Sequence, residues 1–316
     1  MFAAGTDLCD MVVRYVSPPL RARSRAAMAL SKLSGDEQCI IFSQLCNVLD
    51  PGIAVAFSST NSELRALTQA LLQQLRADHE AAAALGRKMG MRSCKVLREA
   101  KGVDLLGKNL STADLTTLGT LGPMLPALEE LRLVEYSDAA GTDGMQRLAE
   151  GLGAGALPAV TLLCLCDIHV GDAGASTLAA ALGRGALPRL KHLFLGGSAI
   201  GDAGLVALAP ALRRRPALET LSFINNPLGD EGFAALVPPP PPAGAPSPPT
   251  GVLTKLNTLY LNRTQITDAG CADLAAAFDS GALPALERLS LDGIPASDAA
   301  KAALKARFPA DSDDED

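Results

Sequence analysis

Leucines recur along the last two-thirds of the chain in the pattern L-x-x-L-x-L. Six rows carry this pattern, and they begin at Leu128, Val160, Leu190, Leu218, Leu256 and Leu286. A degenerate row at Ala100 keeps the same phase through Val103, Leu105 and Leu110. The alternation within each row favours a short strand with one buried face. Recurrence at offsets of 28 to 38 residues predicts a stacked repeat array.

A second signature follows each of the middle strands. It reads GDAG at 171–174 and 201–204, GDEG at 229–232 and TDAG at 267–270. The aspartate is expected to cap the helix that begins there, by accepting hydrogen bonds from its free N–H groups. Leu178 and Leu182 are spaced four residues apart, so they are expected to share the buried stripe of one such helix.

One strand and one helix per row cannot bury their own apolar faces, so neighbouring rows must stack. The pattern resembles the ribonuclease-inhibitor-like class of leucine-rich repeats. We therefore predict an α/β solenoid over residues 99–308, with a curved parallel sheet inside and helices outside. That class usually has an asparagine after the strand. An irregular loop surface is expected because other residues occupy those loops: Cys166–Asp167, Gly196–Gly197 and Asn262–Arg263.

The strand positions between the leucines are expected to point to the concave side of the sheet. Near the centre of the array these positions are apolar and aromatic, and an exposed apolar patch commonly marks an interaction site. We predict a partner-binding stripe of Arg132, Cys164, Phe194, Ile224 and Tyr260. The alternative is that these side chains only fill space in a tightly curved sheet.

Residues 1–98 lack the repeat, and their apolar spacing predicts an all-α unit. Within residues 33–75, an acidic pair, an apolar helix face, Leu-Asp-Pro and a second apolar helix follow one another. This order resembles an F-box, the helical module that binds the Skp adaptor of cullin-based ubiquitin ligases. The resemblance implies adaptor contacts by Leu33, Ile41, Leu45, Leu49, Pro51 and Phe57. Alternatively, these residues are the core of a helical cap that shields the first repeat.

Two further segments stand apart from the repeats. Residues 237–250 carry a run of prolines that favours polyproline II. This insertion is either a ligand for a groove of the SH3, WW or profilin kind or a loop elongation without function. Residues 309–316 form an acidic tail that is expected to be disordered. Repeats followed by such a tail resemble the activating protein of the Ran GTPase, which implies GTPase activation as an alternative function.

Composition narrows the remaining classes of function. The net charge of −6 disfavours nucleic acid as a partner. No apolar run approaches the roughly 18–20 residues that cross a bilayer, so no membrane partner is expected. Histidines and cysteines lack the spacing of metal ligands. The cysteines are scattered, which favours the reducing cytosol or nucleus; they are Cys9, Cys39, Cys46, Cys94, Cys164, Cys166 and Cys271.

The glycine run at 151–156 closes a helix instead of opening one, which is the reverse of a dinucleotide-binding loop. We therefore predict no cofactor and no catalysis. The predicted function is a protein–protein interaction scaffold, with the substrate-recognition subunit of a Skp-cullin-F-box ubiquitin ligase as its specialised form.

Overall fold

The structure is a computed structural model that describes residues 34–59, 62–135, 141–237 and 253–307. The chain divides into two compact units, Met1–Arg98 and Glu99–Asp316. Each is described by itself. Leu33, the proline-rich insertion beyond Val237 and the acidic tail lie outside the described residues, so the predictions made for them stay predictions.

The first unit is helical where it is described. Its helices are α1 (Gly35–Leu45), α2 (Gly52–Ser58), α3 (Ser62–Lys88) and α4 (Cys94–Glu99). Ser34 begins α1 because its hydroxyl accepts a hydrogen bond from the Glu37 N–H at 3.3 Å, while the Glu37 carboxylate accepts one from the Ser34 N–H at 2.8 Å. Apolar side chains from α1, α2 and α3 pack into a core of Phe42, Leu45, Ala54, Phe57, Leu64 and Leu75.

The described part of the second unit holds one parallel sheet whose strands lie in chain order. They are β1 (Gly102–Asp104), β2 (Glu130–Val134), β3 (Leu162–Cys166), β4 (His192–Phe194), β5 (Thr220–Ser222), β6 (Thr258–Tyr260) and β7 (Arg288–Ser290). The register pairs Leu131 with Leu163 and Leu163 with Leu193, as the aligned rows require. The predicted leucine-rich-repeat solenoid is therefore confirmed.

A helix follows each strand. These helices are α5 (Thr112–Leu121), α6 (Gly141–Gly151), α7 (Gly171–Gly183), α8 (Asp202–Arg213), α9 (Asp230–Leu236), α10 (Asp268–Asp279) and α11 (Asp298–Lys305). Leu178 and Leu182 of α7 are buried, as predicted. Leucines from strands and helices thus form one continuous core.

Side chains alternate across the sheet. In β2, Leu131 and Leu133 are buried, whereas Glu130 and Arg132 are exposed on the opposite side. Neighbouring strands lie about 4.8 Å apart, and packed helices lie about 8–10 Å apart. An array with one helix per strand therefore curves with its sheet on the inside. We call the sheet face that carries Glu130, Arg132 and their equivalents the concave face.

The aspartate of the GDAG signature has a different partner from the one predicted. Asp202 is the first residue of α8, and its carboxylate accepts hydrogen bonds from the Gly229 and Gly232 N–H groups at 2.6 and 2.9 Å. Those N–H groups belong to the start of the next helix, α9. Asp172 likewise binds the start of α8. The prediction that each aspartate caps its own helix was wrong, because the carboxylate of a first-turn residue reaches the neighbouring repeat.

The asparagine expected after the strand is present in one repeat. Asn226 is 2% exposed, and its amide donates to the Leu195 and Phe223 carbonyls at 2.6 and 2.9 Å. Ser198 and Thr264 occupy the same position in the flanking repeats and also donate to backbone carbonyls. The usual asparagine is therefore absent from the loops after β3, β4 and β6, as the sequence indicated, and in the last two a hydroxyl group donates to a backbone carbonyl in its place.

Candidate interaction surface

The sheet register sets out the concave face in rows that run across the strands. The middle row consists of Asp104, Arg132, Cys164, Phe194, Ser222, Tyr260 and Ser290. Four residues of the predicted stripe lie in this row: Arg132, Cys164 and Phe194 are adjacent, and Tyr260 is two strands beyond Phe194. Ser222 is the β5 residue between Phe194 and Tyr260, and it is buried.

Ile224 does not belong to the middle row. It lies two residues after Ser222, in the turn that follows β5. The backbone ladder continues there, because the Gly197 N–H donates to the Ile224 carbonyl and the Asn225 N–H donates to the Asn262 carbonyl, each at 2.8 Å. The stripe predicted from sequence therefore mixed two rows.

We call the row that contains Ile224 the outer row. Extension of the register gives it Val134, Cys166, Gly196, Ile224, Asn262 and Asp292. Gly196 brings its neighbours together: a Cβ at this position would lie 3.6 Å from the Cys166 Sγ and 3.9 Å from the Ile224 Cβ. The absence of a side chain at Gly196, in the turn after β4, therefore leaves a shallow gap between the Cys166 and Ile224 side chains.

The two rows combine into one apolar area near the centre of the sheet. We call Val134, Cys164, Cys166, Phe194 and Ile224 the central patch. Each of these side chains is half-buried, so each keeps part of its surface towards solvent. The sequence-based stripe omitted Val134 and Cys166. Their alternation with Leu133 and Leu165 places them on the same face and is the signal by which they could have been included.

Polar groups border the central patch on both sides. Towards the first repeat, Arg132 forms an ion pair with Glu130 at 3.2 Å. Towards the last repeat, the Asn262 amide donates hydrogen bonds to the Ser290 hydroxyl at 2.7 Å and to the Asp292 carboxylate at 3.2 Å. The concave face is thus an apolar centre between a basic–acidic pair and an amide–carboxylate cluster.

A third row lies towards the start of the strands, and it is mainly polar. His192 accepts from or donates to the Thr220 hydroxyl through its Nδ1 at 3.1 Å. Lys191, the residue before His192, pairs with Glu219 at 2.9 Å. The hydrogen bond from Lys191 lowers the pKa of the Glu219 carboxyl. Charged side chains therefore also border the central patch at this edge of the sheet.

The residues implied by the F-box resemblance divide into two groups. Leu45, Leu49 and Phe57 are buried, and Phe57 is fully inaccessible. Ile41 and Pro51 are partly exposed, and Leu33 lies outside the described residues. Leu45 and Phe57 pack into the core of the helical unit itself, so in this structure their side chains do not offer a surface to an adaptor.

Two kinds of site are absent from the described residues. No group of three or more histidine, cysteine, aspartate or glutamate side chains is placed to hold a metal ion there. No helix in the same part of the chain is both long and apolar enough to cross a membrane.

The match to a repeat family model supports the repeat assignment. A family model described as Leucine Rich repeat matches residues 187–209 and 252–275, which include β4 and β6. No curated protein matches the chain. Among solved structures, an internalin from Listeria monocytogenes is 16% identical with a TM-score of 0.35 over 66% of this chain. The match covers 52% of the internalin, so the chain spans about half the length of that protein.

Proposed function

We propose that this leucine-rich-repeat chain is a non-catalytic protein-binding scaffold and that the central patch is its main contact with a protein partner. The observation that carries the proposal is the patch itself: five half-buried apolar or thiol side chains from β2, β3, β4 and the turn after β5 adjoin on one face. Apolar patches bordered by polar groups commonly mark protein interfaces on soluble domains.

Phe194 and Tyr260 are the aromatic members of the middle row, and they lie two strands apart with the small Ser222 between them. Aromatic side chains that become fully desolvated on binding commonly dominate the energy of an interface. A partner segment that spans β4 to β6 would bury both rings at once. The sheet holds both rings in place, because the backbone of each residue is hydrogen-bonded to a strand on either side.

Replacement of Phe194 and Tyr260 by alanine together is expected to weaken partner binding about 30-fold or more. The partner is first recovered by proximity labelling with the unaltered chain, and its affinity for the variant is then measured with purified proteins. Val206→Ala is the matched control, because Val206 is an exposed apolar residue of α8, 43% accessible and on a helix instead of the sheet. Equal affinity of the double variant and the control would contradict the proposal.

The specialised form of this function is recruitment to a ubiquitin ligase through the Skp adaptor. It requires a surface other than the buried side chains that the F-box resemblance implied. The helical unit exposes large apolar side chains at Ile40, Leu67 and Leu71, which are 58%, 44% and 43% accessible. Leu67 and Leu71 are four residues apart on α3 and share one face of that helix. We propose that any adaptor contact uses these residues and not the buried Leu45 and Phe57.

Co-purification of the full chain with the Skp adaptor tests this specialised form. Recovery is expected for the unaltered chain, and Leu67→Asp with Leu71→Asp is expected to abolish it without unfolding the helical unit, since both side chains face solvent. Glu63→Lys, a change of charge at an exposed residue of the same helix, serves as control. Absence of the adaptor from the unaltered sample would leave the general scaffold function alone.

The Ran-type alternative depends on the acidic tail, which lies outside the described residues, and no described residue supports it. Addition of the chain to GTP-loaded Ran would test it, with faster hydrolysis as the supporting result. We place the scaffold function in the cytosol or nucleus, because the described cysteines carry free thiols and such thiols persist in reducing compartments.

A further inference from the structure

Two cysteines lie together within the central patch. Cys164 and Cys166 are two residues apart in β3, so their side chains project from the same face of the sheet. Their Sγ atoms are 3.2 Å apart, with the Cys164 thiol donating to the Cys166 sulfur. Of the other cysteines in the described part of the chain, Cys94 and Cys271 are buried, and Cys39 and Cys46 are partly exposed. The dithiol of β3 combines partial exposure with a second sulfur at hydrogen-bonding distance.

The residues on either side of Cys166 differ in size. The register places Val134 on one side of Cys166 and Gly196 on the other. Because Gly196 has no side chain, the gap described above lies directly beside the Cys166 Sγ. Arg132 and Phe194 are the neighbours of Cys164 in the middle row, and both cysteines keep part of their surface towards solvent. A small reagent can thus reach Cys166 from the Gly196 side.

The hydrogen bond between the two sulfurs also makes the pKa values of the two thiols differ. The Cys164 thiol and then the Gly196 backbone stabilise the Cys166 thiolate and lower its pKa to about 7, although burial and Asp167 oppose this. The same hydrogen bond and burial raise the pKa of Cys164. At neutral pH Cys166 is therefore the better nucleophile of the two.

We propose that Cys164 and Cys166 form a reactive dithiol on the concave face that exchanges with low-molecular-weight disulfides of the glutathione class. Cys166 supplies the attacking thiolate and Cys164 supplies the resolving thiol. This assignment goes beyond the scaffold function and does not depend on it, since exchange requires no protein partner.

The exchange has two steps. The Cys166 thiolate attacks one sulfur of a disulfide RSSR, so a Cys166–SR bond forms, the S–S bond of RSSR breaks, and the departing thiolate takes up the proton that Cys166 had released. Cys164 then loses its proton and attacks the Cys166 sulfur, which expels the second RS⁻, and that thiolate takes up the Cys164 proton. The two cysteines are oxidised by two electrons, and RSSR is reduced to two RSH.

The strand geometry makes the product readily reversible. Residues two apart in a strand have Cα atoms about 6.6 Å apart, and disulfides span about 4.4–6.8 Å between Cα atoms. The internal disulfide would therefore join Cα atoms whose separation is near the upper end of this range, and it is expected to be easily reduced. The mixed disulfide removes the Cys166 thiol from the central patch and the internal disulfide removes both thiols, so partner binding and oxidation would compete for one surface.

The first test uses the unaltered full chain and needs no substitution. Native protein is treated with iodoacetamide from pH 6 to 9, and the rate at each cysteine is followed by peptide mass spectrometry. Cys166 is expected to react at least about tenfold faster than Cys271 at pH 7, with a midpoint near that pH. Equal rates at the two cysteines would overturn the proposal.

Arg132 on β2 and Asp167 after β3 are the charged neighbours of the dithiol, and the imidazole of His192 lies on the adjacent strand β4. The same profile is therefore recorded for His192→Gln. An unchanged midpoint assigns the titration to Cys166, whereas a lost midpoint overturns that assignment.

The second test adds oxidised glutathione and separates the roles of the two sulfurs. Cys164→Ser retains a hydroxyl donor but no resolving sulfur, so a glutathione adduct is expected to accumulate on Cys166. Cys166→Ser is expected to abolish the adduct, and Cys271→Ser is expected to leave exchange unchanged. In the unaltered chain the adduct gives way to an internal disulfide that dithiothreitol removes. Failure of Cys164→Ser to accumulate the adduct would refute the assigned roles.

Discussion

Replacement of Asn226 by alanine is expected to lower the free energy of unfolding of the repeat unit by about 3 kcal/mol, because several buried polar groups lose their partners together. The Asn226 amide donates to the carbonyls of Leu195, Phe223 and Ile224, and its carbonyl accepts from the Ile200 N–H at 2.9 Å. Leu195 and Ile200 belong to the preceding repeat. The side chain thus joins two repeats and also fixes the turn that presents Ile224.

Urea unfolding of the full chain, together with hydrogen exchange read by mass spectrometry, measures this effect. Faster exchange is expected around residues 195–226, where the lost partners lie. Asn257→Ala is the matched control, because the side chain of Asn257 accepts one hydrogen bond from the adjacent Thr258 hydroxyl. A stability for Asn226→Ala within error of that control would show that the asparagine does not join the repeats.

The repeated rows predicted the fold because the signal was redundant. The leucines of each row are spaced for a strand, and the same phase recurs at every row, so the register follows once one strand is placed. Leu131, Leu163 and Leu193 pair as that phase requires. Periodicity shows which residues are equivalent, and stacking is then the only way in which equivalent units bury their apolar faces.

The same periodicity does not reveal which groups join one repeat to the next. Asp202 recurs in phase with Asp172, but nothing in a single row says that its carboxylate binds the N–H groups of α9 and not those of α8. The sequence pattern also does not show which apolar side chains are buried. Leu45 and Phe57 are apolar, and such residues occur both in binding faces and in cores.

Gly232→Ala is expected to destabilise the repeat unit by about 2–3 kcal/mol, because a methyl group has no room at this helix start. A Cβ on Gly232 would lie 2.7 Å from the Asp202 Oδ1 and 2.9 Å from the Asp202 Cα. The added methyl group must therefore push α9 away from α8 and stretch the Asp202 hydrogen bonds. Urea unfolding measures the change. Gly183→Ala, at the end of α7 with open space around its Cβ, is expected to be neutral or slightly stabilising.

A double-mutant cycle with Asp202→Ala tests whether the glycine and the aspartate form one joint between repeats. Asp202→Ala alone is expected to cost about 1–3 kcal/mol, because the Gly229 and Gly232 N–H groups lose their acceptor. In that background Gly232→Ala meets no carboxylate, so its own cost falls and the double variant is more stable than the two single effects predict. Asp298→Ala is the control, since Asp298 in α11 has a fully exposed carboxylate near Lys301. Strict additivity of Asp202→Ala and Gly232→Ala would mean that the two residues act independently and that the signature is not an inter-repeat joint.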